Sequence, residues 1–163
     1  MAGQFGETKQ ISQYKQYYKE QLQDGLEYQD FVAEQLYKIG LPLFNYASKK
    51  YQIKCGENKL GVEIKHDKKF KTTGNLWIEI SEKACPTREN YVISGIRRND
   101  NTWLYVIGNE EKIYIFSKVI LNRLFESGRY KKIENNTKTS IGFLMPLIDA
   151  NKYASKIIYV KQN

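Results

Sequence analysis

Residues 57–83 read ENKLGVEIKHDKKFKTTGNLWIEISEK, and the period of this stretch decides the class of fold. Over residues 76–81, Leu76, Ile78 and Ile80 fall on one face while Trp77, Glu79 and Ser81 fall on the other, the two-residue alternation of a β-strand. Residues 61–65 and 51–54 are further short strand candidates, set apart by turn-forming Gly, Asn and Asp. The middle of the chain is therefore sheet.

Upstream the period lengthens. Ile11, Tyr14, Tyr18 and Leu22 recur every three or four residues and predict an amphipathic helix over 10–22, which Asp24 and Gly25 interrupt. A second helix is expected over 26–39, with Leu26, Ala33 and Leu36 near one side, Phe31 and Val32 widening the apolar arc, and Gly40 and Pro42 as the stop. The reading is two packed helices, not one rod. Downstream, residues 91–96 suit either a strand or a short helix, and 103–107 with 112–116 form a hairpin. Residues 117–127 read as a helix ended by Gly128, 135–139 as a polar loop, 141–145 as an edge strand before Pro146, and 150–160 as a terminal element. With no repeat and no linker, the expectation is one domain over 1–163, with 1–24 an N-terminal helical extension. Its class is α/β or α+β: a central mixed β-sheet flanked by helices.

Among the 163 residues, 26 Lys and Arg face 18 Asp and Glu, a formal charge of +8 and a pI near 9.3. That balance favours an acidic partner, whether nucleic acid, anionic membrane or acidic protein. No apolar run reaches membrane-spanning length and the N-terminus is polar from Gln4 onward, so a cytoplasmic protein without a membrane partner is expected. Cys55 and Cys85 lack zinc-knuckle spacing and His66 is the single histidine, which argues against structural zinc and for free thiols.

The local chemistry concentrates on two carboxylates. Glu63 lies between Val62 and Ile64, and Glu79 between Ile78 and Ile80, so each strand offers an acid within an apolar pattern. A buried unpaired carboxylate costs kilocalories per mole, whereas a divalent cation between two of them removes their repulsion. Lys65 shares the strand face of Glu63. Between the acids, Lys68, Lys69, Lys71, Thr72, Thr73 and Asn75 supply ammonium, hydroxyl and amide donors suited to phosphate oxygens. The competing reading is a solvated sheet face on which glutamates pair with lysines. Lysines over 49–54, Arg97, Arg98, Lys131 and Lys132 are further phosphate candidates, and Tyr51, Trp77, Trp103 and Tyr114 suit either base stacking or sheet packing.

This constellation resembles the PD-(D/E)xK nuclease superfamily, whose members carry an acid on one strand, a second acid on the next, a lysine two residues beyond it, and often a glutamate on the preceding helix. The resemblance runs loosely from Gly25 to Phe116 and implies a restriction-endonuclease-like core. It makes Glu63 the first strand acid and Glu79 the second, which puts Ser81 where the lysine is expected. Either Lys65 or Lys83 then supplies the ammonium, Lys65 being favoured by its shared face with Glu63. Alternatively Glu63 and Lys65 are themselves the Glu-x-Lys pair, with Glu57 or Asn58 in the place of the first acid; the former arrangement ranks ahead. Glu27 resembles the helical glutamate, with Asp30 and Glu34 competing. His66 adjoins Lys65 but points to the opposite strand face, so phosphate or solvent contact competes with a general-base role.

The activity implied is Mg²⁺-dependent hydrolysis of DNA phosphodiester bonds, with Mn²⁺ as a substitute metal and endonuclease action favoured. RNA remains an open ligand and a homodimer is a further implication. Two other classes stay in view: a catalytically inactive nucleic-acid-binding module, suggested by Ser81, and a basic protein-interaction domain.

Overall fold

The strands expected around Glu63 and Glu79 both form, but they enter different sheets. The computed structural model describes residues 4–43 and 54–161. In chain order its elements are helix α1 (Gln4–Lys38), strand β1 (Val62–His66), the one-turn helix α2 (Phe70–Thr73), β2 (Asn75–Glu82), β3 (Val92–Ile93), a 3-10 turn (Gly95–Arg97), β4 (Leu104–Gly108), β5 (Lys112–Ser117), α3 (Lys118–Glu126), β6 (Ile133–Glu134), β7 (Ser140–Pro146), α4 (Leu147–Tyr153) and β8 (Lys156–Tyr159). The strand expected at 51–54 lies, apart from Lys54, outside the described residues, as do most of the lysines of 49–54.

One sheet has the order β1-β4-β5-β8 and the other β3-β2-β7-β6. The first is mixed, because β1 runs parallel to β4 while β4–β5 and β5–β8 are antiparallel. The second is antiparallel throughout. The parallel pair needs a long crossover, and β2 and β3 lie within it. The expected single central sheet is therefore corrected to two. Residues 141–145 are corrected as well: β7 is no edge strand but sits between β2 and β6. Residues 91–96 satisfy both expectations, a two-residue strand followed by the 3-10 turn.

The expected break at Asp24–Gly25 is absent, and α1 runs continuously through it. A glycine inside a helix costs about 1 kcal/mol relative to alanine, too little to end one when neighbouring turns are held elsewhere. Here Asp24 is tied to His66 and Lys68, and Tyr28, Val32 and Leu36 are buried one turn apart. That stripe packs on Val62, Ile64, Val106, Ile113 and Ile115, the outer face of the first sheet. The inner face, with Tyr105, Ile107, Tyr114 and Phe116, meets Leu76, Ile78, Ile80, Phe143 and Met145 of the second sheet, sealed by Phe70, Leu121 and Ala150. The molecule is thus layered: α1, first sheet, core, second sheet.

Candidate active site

Strand parity aims Glu63 into this layering. Val62 and Ile64 face α1, so Glu63 and Lys65 project from the inner face of β1, level with Tyr105 and Ile107 of β4. The Glu63 side chain is 1% exposed, and among the described residues neither of its carboxylate oxygens has a hydrogen-bond partner. Lys65 Nζ stands 3.2 Å from Glu63 Oε1, an ion-pair contact off hydrogen-bonding alignment, and 3.7 Å from Glu79 Oε1. One ammonium thus bridges acids from two sheets. Burial opposes its charge, but Glu79 and then Glu63 outweigh that and hold Lys65 well above the ordinary lysine range. The Tyr105 hydroxyl is buried close by, and burial raises its phenol far above the usual value.

Glu79 reaches this place through local irregularity. The β2–β7 register shifts between Glu79 and Ser81, and a bulge of this kind re-aims the side chains beside it. Ser94 Oγ donates to Glu79 Oε1 and Ser140 Oγ to Oε2, each at 2.8 Å. Both serines are buried, so the carboxylate is fixed from two sides. The turn bearing Ser94 approaches so closely that a Cβ on Gly95, at φ +51°, would lie 2.2 Å from the Glu79 carbonyl oxygen.

Glu57 completes the cluster. Its Oε2 accepts from the Ile64 backbone N–H at 3.1 Å, on the strand that carries Glu63. Burial, and then repulsion from Glu63, lift this carboxyl to about 7 against the pull of Lys65. Asn58 serves the backbone instead, its amide donating to the Val62 carbonyl at 2.7 Å and accepting from the Val62 N–H at 3.0 Å, which closes the turn into β1. The geometry therefore gathers Glu63, Glu79 and Lys65, the members of the arrangement ranked ahead, and sets Glu57, the first acid of the alternative arrangement, beside them. Arg98 lies near enough to interact with both Glu63 and Glu57, and it is held by Asp100, which also receives Lys118. Burial raises the Asp100 carboxyl, but the Thr102 groups, Arg98 and Lys118 prevail and keep it near 2.

The helical acids are not brought to this cluster. Glu27 accepts from Gln23 on the solvent side of α1, Asp30 is exposed, and Glu34 pairs with Lys38 at 2.8 Å. The reason is topological: α1 covers the outer face of the first sheet, whereas Glu63 leaves its inner face. His66 turns toward α1 as parity requires. Its ring stacks on Tyr28 with centroids 4.1 Å apart, Nδ1 is 2.9 Å from Asp24, and Nε2 is 3.2 Å from Glu110. It ties helix to sheet and stands apart from the acids.

The loop donors divide. Lys68 is paired with Asp24 and Lys71 with Glu111, so both ammoniums already meet carboxylates. Thr72 is exposed. Lys69, Thr73 and Asn75 line a cleft together with Trp77. Lys83 lies 4.6 Å over the Tyr91 ring, outside the cluster, and Ser81 is paired in the ladder beside the bulge. Ser94 and Ser140 had no signal in the sequence, standing 15 and 61 residues from Glu79.

Among the described residues, no group of three or more His, Cys, Asp or Glu side chains is placed to hold a metal ion together. No helix among them is long and apolar enough to cross a membrane. Cys55 and Cys85 are free thiols. No protein-family model, no curated protein and no solved structure matches this chain.

Proposed function

We propose that this chain is a metal-dependent nuclease of the PD-(D/E)xK type that hydrolyses phosphodiester bonds in DNA. The observation that carries this reading is the meeting of Lys65 with Glu63 and Glu79 at 3.2 and 3.7 Å, beside two buried Glu63 oxygens lacking hydrogen bonds. An ion pair alone accounts for the charge balance but leaves those lone pairs unused. Buried acceptors without partners are expensive and mark a place where a missing partner belongs.

The donor set fits Mg²⁺, or Mn²⁺ in its place, since hard carboxylate oxygens suit these ions. Glu63 and Glu79 would hold the metal, with Glu57 as the adjoining acid. Mg²⁺ retains several waters when substrate phosphate supplies oxygen, so a shell of few protein ligands is no obstacle. When bound, it would supply the Lewis acidity that activates a hydrolytic water and neutralises the phosphate.

The protein's own groups have separable roles. Lys65, already charged and held by two carboxylates, is placed to stabilise negative charge developing on the phosphoryl oxygens. Ser94 and Ser140 keep Glu79 in one orientation, so little reorganisation is needed when substrate arrives. Glu57, which accepts the Ile64 N–H beside Glu63, is the adjoining acid, and burial makes it hold its proton more tightly than an ordinary glutamate.

The test is cleavage of linear, single-stranded and branched DNA with Mg²⁺ or Mn²⁺ by the wild-type chain, Glu63→Gln and Lys65→Met. Wild-type cleavage that falls about 100-fold or more in either variant, with folding and DNA binding retained, is the expected result. Undiminished cleavage by both variants would remove this site from the reaction. DNA binding without metal-dependent product on every substrate would favour the noncatalytic module, for which Ser81 at the bulge is the supporting observation.

A further inference from the structure

Trp77 stands two residues before Glu79 on β2, and a cleft of about 400 Å³ opens beside its indole. Trp77 and Tyr17 supply its aromatic surface and Lys69 its ammonium; the Thr73 hydroxyl donates to the Lys69 and Asn75 carbonyls, and the Asn75 and Asn135 amides each give one N–H within the protein, to the Thr73 carbonyl and the Thr139 hydroxyl. Two acids also line it, and both are engaged. Asp67 accepts from the backbone N–H groups of Lys69 and Trp77 at 3.0 and 2.9 Å, and Glu134 accepts from the Tyr91 hydroxyl. An adjoining depression shares Ile133 and Leu144 and adds Lys131 and the Arg129–Asp149 ion pair.

Trp77 is held against the strand beneath it. A Cβ on Gly142, which pairs with Glu79 across the ladder, would come within 2.9 Å of the indole Cζ2, so the absence of a side chain at Gly142 is what lets the ring lie there. A ring fixed in this way presents a preformed aromatic surface. Two residues of strand advance about 7 Å, so a base seated on Trp77 brings the adjoining sugar-phosphate to the level of Glu79.

The geometry points to single-stranded DNA, as an unpaired stretch or end, as the ligand of this cleft, with a base against Trp77 and neighbouring phosphates at Lys69 and the second N–H of the Asn75 and Asn135 amides. The choice of single strand follows from stacking: in a duplex the base faces are covered by their neighbours, whereas an unpaired base offers its face to an aromatic side chain. One lysine set against the carboxylates of Asp67 and Glu134 leaves too little positive charge for the two phosphate rows of a duplex and suits a single backbone better. The placement of the scissile phosphate rests on the nuclease reading above; the binding mode does not.

The experiment uses the full chain in a Trp103→Phe background, which leaves Trp77 as the only tryptophan. Intrinsic fluorescence is titrated in chelator with a thymidine oligodeoxynucleotide, its uridine RNA counterpart, and a blunt DNA hairpin. The DNA single strand is expected to quench Trp77 and to bind more tightly than the hairpin or the RNA. Labelled-strand anisotropy should show a loss of roughly 5- to 150-fold for Trp77→Ala and a smaller loss for Trp77→Phe, which keeps a stacking ring. Unchanged Trp77 emission at saturation overturns the assignment, as does an equal loss of hairpin and single-strand affinity in Trp77→Ala. Tighter binding of the RNA strand overturns the choice of DNA. The quench is read on an intact Trp77, so it stands even where the alanine variant fails to fold. Quenching without cleavage by the wild-type chain would count against the nuclease and leave the cleft standing, while cleavage without quenching would do the reverse.

Discussion

Glu57 is the side chain whose behaviour differs most from its sequence context. An ordinary glutamate here would lose its proton near 4.5, but burial and Glu63 hold it until about 7. Between these values the folded chain binds a proton that the unfolded chain has released. The associated stability is fully present below about pH 4.5, declines as pH rises, and is gone above about pH 7. Its size is on the order of 3 kcal/mol. Glu57→Gln, unfolded by urea in chelator at several values between about pH 4 and about pH 8, should therefore show a flatter dependence of stability on pH than wild type. Parallel curves would mean that Glu57 is not held in the environment described. Lys65 has no such window near neutrality, since its ammonium is stabilised by the acids around it.

Two glycines test the elements that frame the site, and they predict opposite signs. Gly25 lies within α1, where a Cβ would meet nothing within 4 Å. Gly25→Ala should stabilise by about 0.5–1 kcal/mol, read as a higher urea midpoint, because alanine has the better helix propensity and a less disordered unfolded state. Gly95 lies in the turn against β2, at positive φ and with a Cβ position only 2.2 Å from the Glu79 carbonyl oxygen. Gly95→Ala should lose on the order of 2 kcal/mol or more in the same experiment, and cleavage should fall because the Ser94 contact to Glu79 moves with the turn. A neutral Gly95→Ala would show that the turn does not seat Glu79. The same close approach explains why a two-residue β3 suffices: it has only to deliver the following turn.

The whole chain carries a charge of +8, but its basic groups are not equivalent toward a polyanion. Lys68 and Lys71 face Asp24 and Glu111, whereas Lys69 lines the cleft. Binding to single-stranded DNA should weaken as salt rises, because phosphate contacts release condensed cations. Lys69→Ala should lower the slope of log affinity against log salt by about 0.7, the value of one single-strand phosphate contact. Lys71→Ala should change it less. Equal slopes for wild type and Lys69→Ala would place the phosphates elsewhere. Net charge thus sets the attraction, and the folded arrangement selects which lysines express it.

Short-range patterns are legible in the order of residues alone. Alternation marks the strands at Glu63 and Glu79, the run before Gly128 marks α3, and the polar turn between two apolar runs marks the β4–β5 hairpin. The i, i+2 relation puts Lys65 beside Glu63, because side-chain direction along a strand is a local property. Three decisions depend on long-range contacts. Whether α1 breaks at Gly25 depends on what Asp24, Tyr28 and Val32 meet on β1 and beyond. Whether β1 and β2 belong to one sheet depends on β4 and β7, which compete for their backbone edges. Whether a helical glutamate or Glu57 joins the acids depends on the sheet face covered by α1. Residue order specifies neighbours a few positions apart, whereas edge pairing and face covering are settled by the total burial and hydrogen bonding of the folded chain, and these fix the partners of Glu63.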